Sequence, residues 1–258
     1  MELTLAGQAV LGPGLPDWTT ARAVLSGAAP YVPAAVPEPA PELLPANERR
    51  RTSSSVRWAL AVGHQALGAR RDEADQIATV FASCGGDGPI THQICEALAN
   101  PPREVSPTRF HNSVHNAPAG YWSIATRSRA PSTSLSAYDG SFAAGLLEAA
   151  AQVMVERYSV LLVAYDLPYP TPMHALWPIA YPFAAALLLD PASSAGTPIR
   201  IEINPGVARM TWPEVLPSEL SANPAAHALC MLRPAASGKR QRVEIPLTDD
   251  SHVAVEVG

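Results

Sequence analysis

Hydrophobic positions change their rhythm along the chain. Glu2 to Leu11 alternate loosely between apolar and polar residues, the signature of a strand, and Gly12-Pro13-Gly14 ends it. Asp17 is placed to cap a short helix running to Leu25. A Pro-rich stretch from Pro30 to Pro45 excludes helix and predicts an extended surface loop. Ser53 to Leu67 carries Val56, Ala59, Leu60, Gly63 and Leu67 on one helical face. A β-rich run, Ile77 to Ser83, stops at Cys84-Gly85-Gly86, and Pro89 to Ala99 reads as a helix ended by Pro101-Pro102. Pro107 to Thr126 is mixed, with helix from about Asn116. Ser132 to Ser136 is a short strand, Gly140 to Tyr158 a long helix, and Val160 to Tyr165 and Ala180 to Leu189 are continuous apolar strands. After Asp190 the pattern turns to strands at Ile199 to Ile203, Arg209 to Trp212, Val243 to Pro246 and Val253 to Val257. One helix, around Ala222 to Met231, lies among them.

Alternating strands and helices predict an α/β fold with a mainly parallel or mixed central sheet flanked by helices. The change of pattern divides the chain into 1–190 and a short β-rich extension, 191–258. The helix from Gly140 to Tyr158 is apolar almost all round. Its polar positions, Ser141, Glu148, Gln152 and Glu156, form one narrow stripe with Gly145. It is therefore expected either to be sandwiched within the fold or to pack on a second domain or subunit.

Composition narrows the partners. Charged residues make up only 16% of 258 and hydrophobic residues 47%, which points to extensive buried surface. A net charge of −5 argues against nucleic acid. Cys84, Cys95 and Cys230 form neither a CxxC pair nor a metal cluster, so reduced thiols and a cytoplasmic location are expected. No apolar run free of breakers is long enough to span a membrane.

Few residues suggest chemistry by themselves. His111 and His115 have helical i, i+4 spacing, but the glutamate of an HExxH motif is missing; they mark a local polar site and not a metal centre. His92 and His174 add no pattern. Cys84, at a strand end, could be a nucleophile, but a buried small residue before a glycine turn is the plainer reading. Arg49-Arg50-Arg51 is either a solvated run or a docking point for an acidic carrier.

The run RAPSTSLSAYDGSFAAGLLEA, Arg129 to Ala149, resembles the nucleophile region of the β-ketoacyl synthases. There an Arg-Gly-Pro-Ser turn leads into a short strand, which ends at the catalytic cysteine opening a buried helix. Arg129, Pro131, Ser132, Ser134, Ser141 and Ala149 are in step. The run SPTRFHNSVHNAPAGYWSIA, Ser106 to Ala125, is similar to a branch of short β-ketoacyl-synthase-like proteins found beside aryl polyene pigment genes, one of them described as a chain length factor. IAYPFAAALLL, Ile179 to Leu189, fits the strand closing the N-terminal half of that thiolase-like fold.

The resemblance places Asp139 where the family has its cysteine. A thiolate at a helix N-terminus is a good acyl acceptor; a carboxylate there is expected to be a helix cap. The family's C-terminal histidines and lysine have no counterpart, since His227, His252 and Lys239 lie in other surroundings. The resemblance thus implies the scaffold without the reaction: a non-catalytic, chain-length-factor-like subunit, without cofactor, paired with a catalytic β-ketoacyl synthase and in reach of its acyl carrier protein. In the family the long helix packs between two similar halves. Here its large side chains, worth roughly 1.5 to 3 kcal/mol each when buried, need cover from another chain or from the extension. Tyr121, Trp122, Tyr138 and Phe142, beside Asp139, are candidate tunnel or interface residues, or plain core. Two alternatives stand beside this reading: an acyl-thioester enzyme with an atypical residue set, and a binding protein for an acyl or aromatic ligand.

Overall fold

The computed structural model describes residues 1–192 and 195–258. Its strands are β1 (Glu2–Leu11), β2 (Ala78–Ala82), β3 (Ser132–Leu135), β4 (Val160–Asp166), β5 (Phe183–Pro191), β6 (Thr197–Pro205), β7 (Gln241–Thr248) and β8 (Ser251–Val257). Its helices are α1 (Trp18–Leu25), α2 (Ala46–Arg49), α3 (Ser54–Leu67), α4 (Gly88–Ala99), α5 (Pro107–Asn112), α6 (Ala117–Thr126), α7 (Ser141–Glu156) and α8 (Ala228–Ser237). Among the described residues the strands form one sheet in the order β3-β2-β4-β5-β1-β6-β8-β7. It is mixed: β2 pairs parallel with β3 and β4, and the other neighbours are antiparallel.

The two apolar runs occupy the middle of this sheet because both of their faces are covered. Val160, Leu162 and Ala164 of β4, with Phe183, Ala185, Leu187 and Leu189 of β5, pack under α1, α7 and α8. Leu161, Val163 and Tyr165, with Ala184, Ala186 and Leu188, pack under α3 and α6. A strand buried on both sides has no reason to alternate. The strands after residue 190 extend the same sheet; β6 and β7 alternate in burial, while in β8, which lies between them, His252 and Ala254 on the face away from α8 are buried as well. Ile199, Ile201, Val243, Ile245, Val253, Val255 and Val257 face the α8 layer. The other side carries ion pairs such as Arg242–Glu202 at 3.0 Å and Arg240–Glu256 at 2.7 Å.

Local chemistry explains the element ends. Asp17 caps α1, its Oδ1 accepting from the Thr20 amide at 2.7 Å. The Pro-rich stretch is extended and mostly exposed as expected. It is tied down by Gly14 N–H to the Ala34 carbonyl, by the Tyr31 hydroxyl to the Pro13 carbonyl, and by Arg57 to Glu38.

Two expectations are corrected. Arg209 to Trp212 is not a strand. It lies along the edge of β7, donating from the Arg209 amide to the Glu244 carboxylate and from the Thr211 amide to the Glu244 carbonyl. The Glu244 amide returns to the Thr211 hydroxyl instead of a carbonyl, so no ladder propagates. The helix expected over Ala222 to Met231 becomes α-helical only at Ala228, because Asn223 and Pro224 open a tighter 3-10 turn first.

The extension helps to cover α7: Ala225, Ala226, Leu229 and Val243 share a core with Phe142, Leu146 and Val153. The polar stripe on α7 is not its solvent face throughout. Ser141 and Gly145 are buried, while Gln152 turns to Glu148 and to Thr133 of β3. Apolar Val155 is 75% exposed. No helix among the described residues is long and apolar enough to cross a membrane.

Candidate functional site

The C-terminal ends of β2, β3 and β4 meet the start of α7, and there the side chains with chemistry gather. Ser83 and Cys84 follow β2. The Asp166 carboxylate at the end of β4 is buried and accepts from the Ser83 hydroxyl at 2.9 Å and the Cys84 amide at 2.7 Å. Burial pushes its pKa up to about 6, against these hydrogen bonds, which favour the carboxylate. The Cys84 carbonyl accepts from Ser136 beyond β3, and the Ser83 carbonyl from His115 Nε2 at 3.2 Å. Asn223 bonds the Asp166 and Tyr181 carbonyls and so ties the extension to this network.

Cys84 is not poised as a nucleophile. Burial and the neighbouring Asp166 hold its thiol far above the usual range, and its sulfur lies 3.4 Å from the Tyr169 hydroxyl. The glycine turn after it has a steric purpose. A Cβ on Gly85 would sit 2.3 Å from the Tyr169 hydroxyl, and Gly86 has φ +68°.

The turn into α7 differs from the expectation for Asp139. Tyr138, Asp139 and Gly140 form a single 3-10 turn, Gly140 occupies the cap position, and no side chain caps the helix. Ser141 organises the turn instead, its hydroxyl donating to the Tyr138 carbonyl at 2.6 Å and accepting from the Ala137 amide at 3.0 Å. An N-cap needs an extended backbone, and inside a 3-10 turn Asp139 lacks one. Its side chain is exposed. Tyr138 is held at φ +56°, a left-handed conformation uncommon outside glycine. The carbonyl of Leu247 on β7 packs so closely on Gly140 that a Cβ there would meet it at 2.0 Å.

The structure separates the remaining candidates. Tyr121 and Trp122 are buried in the layer under α3, with Trp122 edge-on to Phe81 at 6.4 Å. Phe142 is buried in the opposite layer. Only Tyr138, 58% exposed, reaches a cavity with Asp139, and its ring lies 5.2 Å from that of Trp177. His111 and His115 are not brought together on a helix. α5 ends at Asn112, and His115 falls in the turn before α6, because Pro118 needs a fresh helix start. The His111 ring stands edge-on to Tyr121 at 6.0 Å. No group of three or more metal-ligating side chains occurs among the described residues. Arg49 and Arg50 turn back onto backbone carbonyls of their own turn.

Sequence reading missed Asp166, Tyr169 and Trp177, and it named His227 only to set it aside. Asp166 had a signal, a lone carboxylate closing an apolar strand run. The other three come together only through loops and the extension.

Comparison with known proteins agrees with this geometry. The family model for the β-ketoacyl synthase N-terminal domain matches residues 25–248. A chain of the ketosynthase ApeO in complex with its chain length factor ApeC, from Xenorhabdus doucetiae, is 26% identical. It aligns with a TM-score of 0.75 over 99% of both chains. The ishigamide ketosynthase/chain length factor (12% identity) and the AntDE:AntF complex, a type II acyl-carrier protein with its ketosynthase (11%), also align with TM-scores of 0.75. Each covers 100% of this chain and 99% of its own, and at such identity these two show the fold alone. No curated protein matches the chain.

Proposed function

The chain belongs to the β-ketoacyl synthase N-terminal domain family, and from that premise we propose that it is the non-catalytic, chain-length-factor-like partner of a catalytic β-ketoacyl synthase. In this reading it stabilises the heterodimer, shapes the acyl tunnel in fatty acid or polyketide-type (aryl polyene) biosynthesis, and meets the synthase's acyl carrier protein. The observation that carries it is the edge of the sheet at β3. The opposite edge, β7, is shielded by residues 207–213, whereas β3 ends the sheet with no strand beyond it among the described residues. Beside β3 lies α6. Ile124 on α6, Phe110 on α5 and Val114 in the turn between the two helices form an apolar patch, 47%, 67% and 49% exposed. An unpaired edge flanked by exposed apolar side chains is a surface made for another chain.

The site supports the absence of condensing chemistry. Asp139, in step with the family's nucleophile, is a carboxylate, and an acyl-carboxylate is a readily hydrolysed anhydride. Cys84 is held as a thiol. Residues 191–258 act here as an extension that closes the fold over α7.

The test is co-expression with a catalytic β-ketoacyl synthase from the same genome, followed by light scattering on size exclusion. A one-to-one complex is expected. Its condensing activity should vanish when the partner's nucleophilic cysteine is replaced by alanine and survive Asp139→Ala. A monomer that ignores the synthase and turns over malonyl or acyl thioesters unaided would overturn the proposal.

A further inference from the structure

The Pro-rich segment folds back over the turn after β1 and walls an open cavity of about 390 Å³, within the size range of small-molecule sites. The other walls come from α3, from the residues just before β5 and from residues 217–220 of the extension. The loop is pinned in place by the protein itself. The Gly14 amide donates to the Ala34 carbonyl at 2.8 Å, and the Tyr31 hydroxyl donates to the Pro13 carbonyl at 3.0 Å. Gly14 has φ +67°, and a Cβ there would meet the Val32 carbonyl oxygen at 2.5 Å, so only glycine lets the loop lie this close. Prolines fix much of the remaining backbone, which leaves little ordering for a ligand to impose.

The lining is chemically selective. Three aromatic residues contribute to it, Tyr31, Trp58 and Tyr181, together with four prolines and Val36. Glu219 is its one charged side chain, and no Lys or Arg lines it. The Glu219 carboxylate is exposed, accepts from the Ser218 hydroxyl at 3.5 Å, and forms no ion pair among the described residues. Burial, and after it the neighbouring Tyr181, holds the Tyr31 phenol above its ordinary value, so it stays neutral. The face of an aromatic ring is electron-rich and attracts cations. An anion entering here would meet an unpaired carboxylate; a cation is drawn both by that carboxylate and by the rings.

We propose that this cavity binds a small organic cation, a substituted ammonium whose charged head lies among Tyr31, Trp58 and Tyr181 within reach of Glu219, and whose apolar body packs on the prolines and Val36. A metal ion does not suit it, because a hard cation needs several oxygen ligands and the lining offers one carboxylate. An alkylated ammonium carries its charge on an apolar surface, which fits aromatic and proline walls. The Pro-rich loop is then one wall of a ligand site. The cavity shares no lining residue with the apolar patch beside β3, so its failure would leave the partner-subunit reading untouched.

The experiment is an NMR titration of the full chain with choline, 3,3-dimethylbutan-1-ol and 3,3-dimethylbutanoate, which have nearly the same shape and are cationic, neutral and anionic. It follows the backbone amide resonances of Ala35 and Glu219. Choline is expected to move both and to bind about tenfold tighter than the alcohol, the worth of a partly desolvated cation–π contact, with the anion weakest. Tyr181→Leu keeps apolar area but removes a ring, and should cut the preference for choline to about threefold or less. Glu219→Gln should weaken choline and leave the alcohol unchanged. Ala35→Trp should block the cavity to all three. These positions are exposed, so the variants keep the fold, and their spectra report it. Equal binding of choline and the alcohol, choline binding unchanged in Ala35→Trp, or no shift with choline at either amide would overturn the proposal.

Discussion

At the scale of single residues, close approach and burial set the predictions. Gly140 has room for no side chain under the Leu247 carbonyl, whereas a Cβ at Gly120 in α6 would meet nothing within 4 Å. Gly140→Ala should destabilise the chain by about 1 to 3 kcal/mol. Gly120→Ala should stabilise it by about 0.5 to 1 kcal/mol, because alanine loses less backbone freedom in a helix. Urea midpoints measure both. Asp166 gives a pH test. Its folded pKa lies above the unfolded one, so the native state binds more protons between the two values. Stability is therefore lost as pH rises from about 4 to about 6. Asp166→Asn keeps an acceptor for Ser83 and Cys84 and does not titrate. The stability difference between variant and parent should shift toward the variant by on the order of 3 kcal/mol between pH 4 and pH 7. A flat difference would mean that the carboxylate is ionised at no cost. Asp139 shows how far one residue can be read alone. Its place before an apolar helix suggested a cap, but Ser141 takes over the turn, and the choice rests on backbone angles that composition does not encode.

At the scale of elements, most of the pattern was legible because it follows from burial. The doubly covered strands β4 and β5 read as unbroken apolar runs, and β6 and β7, covered mainly on one face, alternate. Asp17 before α1 was legible as a cap. Asp17→Ala should cost about 1 kcal/mol, measured by thermal or urea unfolding. Arg209 to Trp212 was misread because its residues favour extended backbone, which a strand and an edge-shielding loop share. The i, i+4 spacing of His111 and His115 is not realised on one helix, because Asn112 ends α5 and Pro118 opens α6.

At the scale of the whole molecule, the open edge of β3 and the exposed side chains beside it predict where a partner sits. Phe110→Asp with Ile124→Asp should abolish co-purification with the synthase. The stability of the isolated chain should change by no more than about 0.5 kcal/mol, since both positions are solvent-exposed. Retained complex would place the interface elsewhere. The sequence alone determined the class of fold, the order of its elements, the low charge that favours buried surface, and the family through the run from Arg129 to Ala149 and the family match over 25–248. These follow from periodicity and local chemistry, which act over a few residues. Only the tertiary structure decided that residues after 190 continue the same sheet and lean on α7, that Tyr121, Trp122 and Phe142 are core on opposite faces, and that Trp177 and His227 flank one turn. Such placements depend on strand order and on contacts between residues far apart in the chain, and no local pattern specifies them.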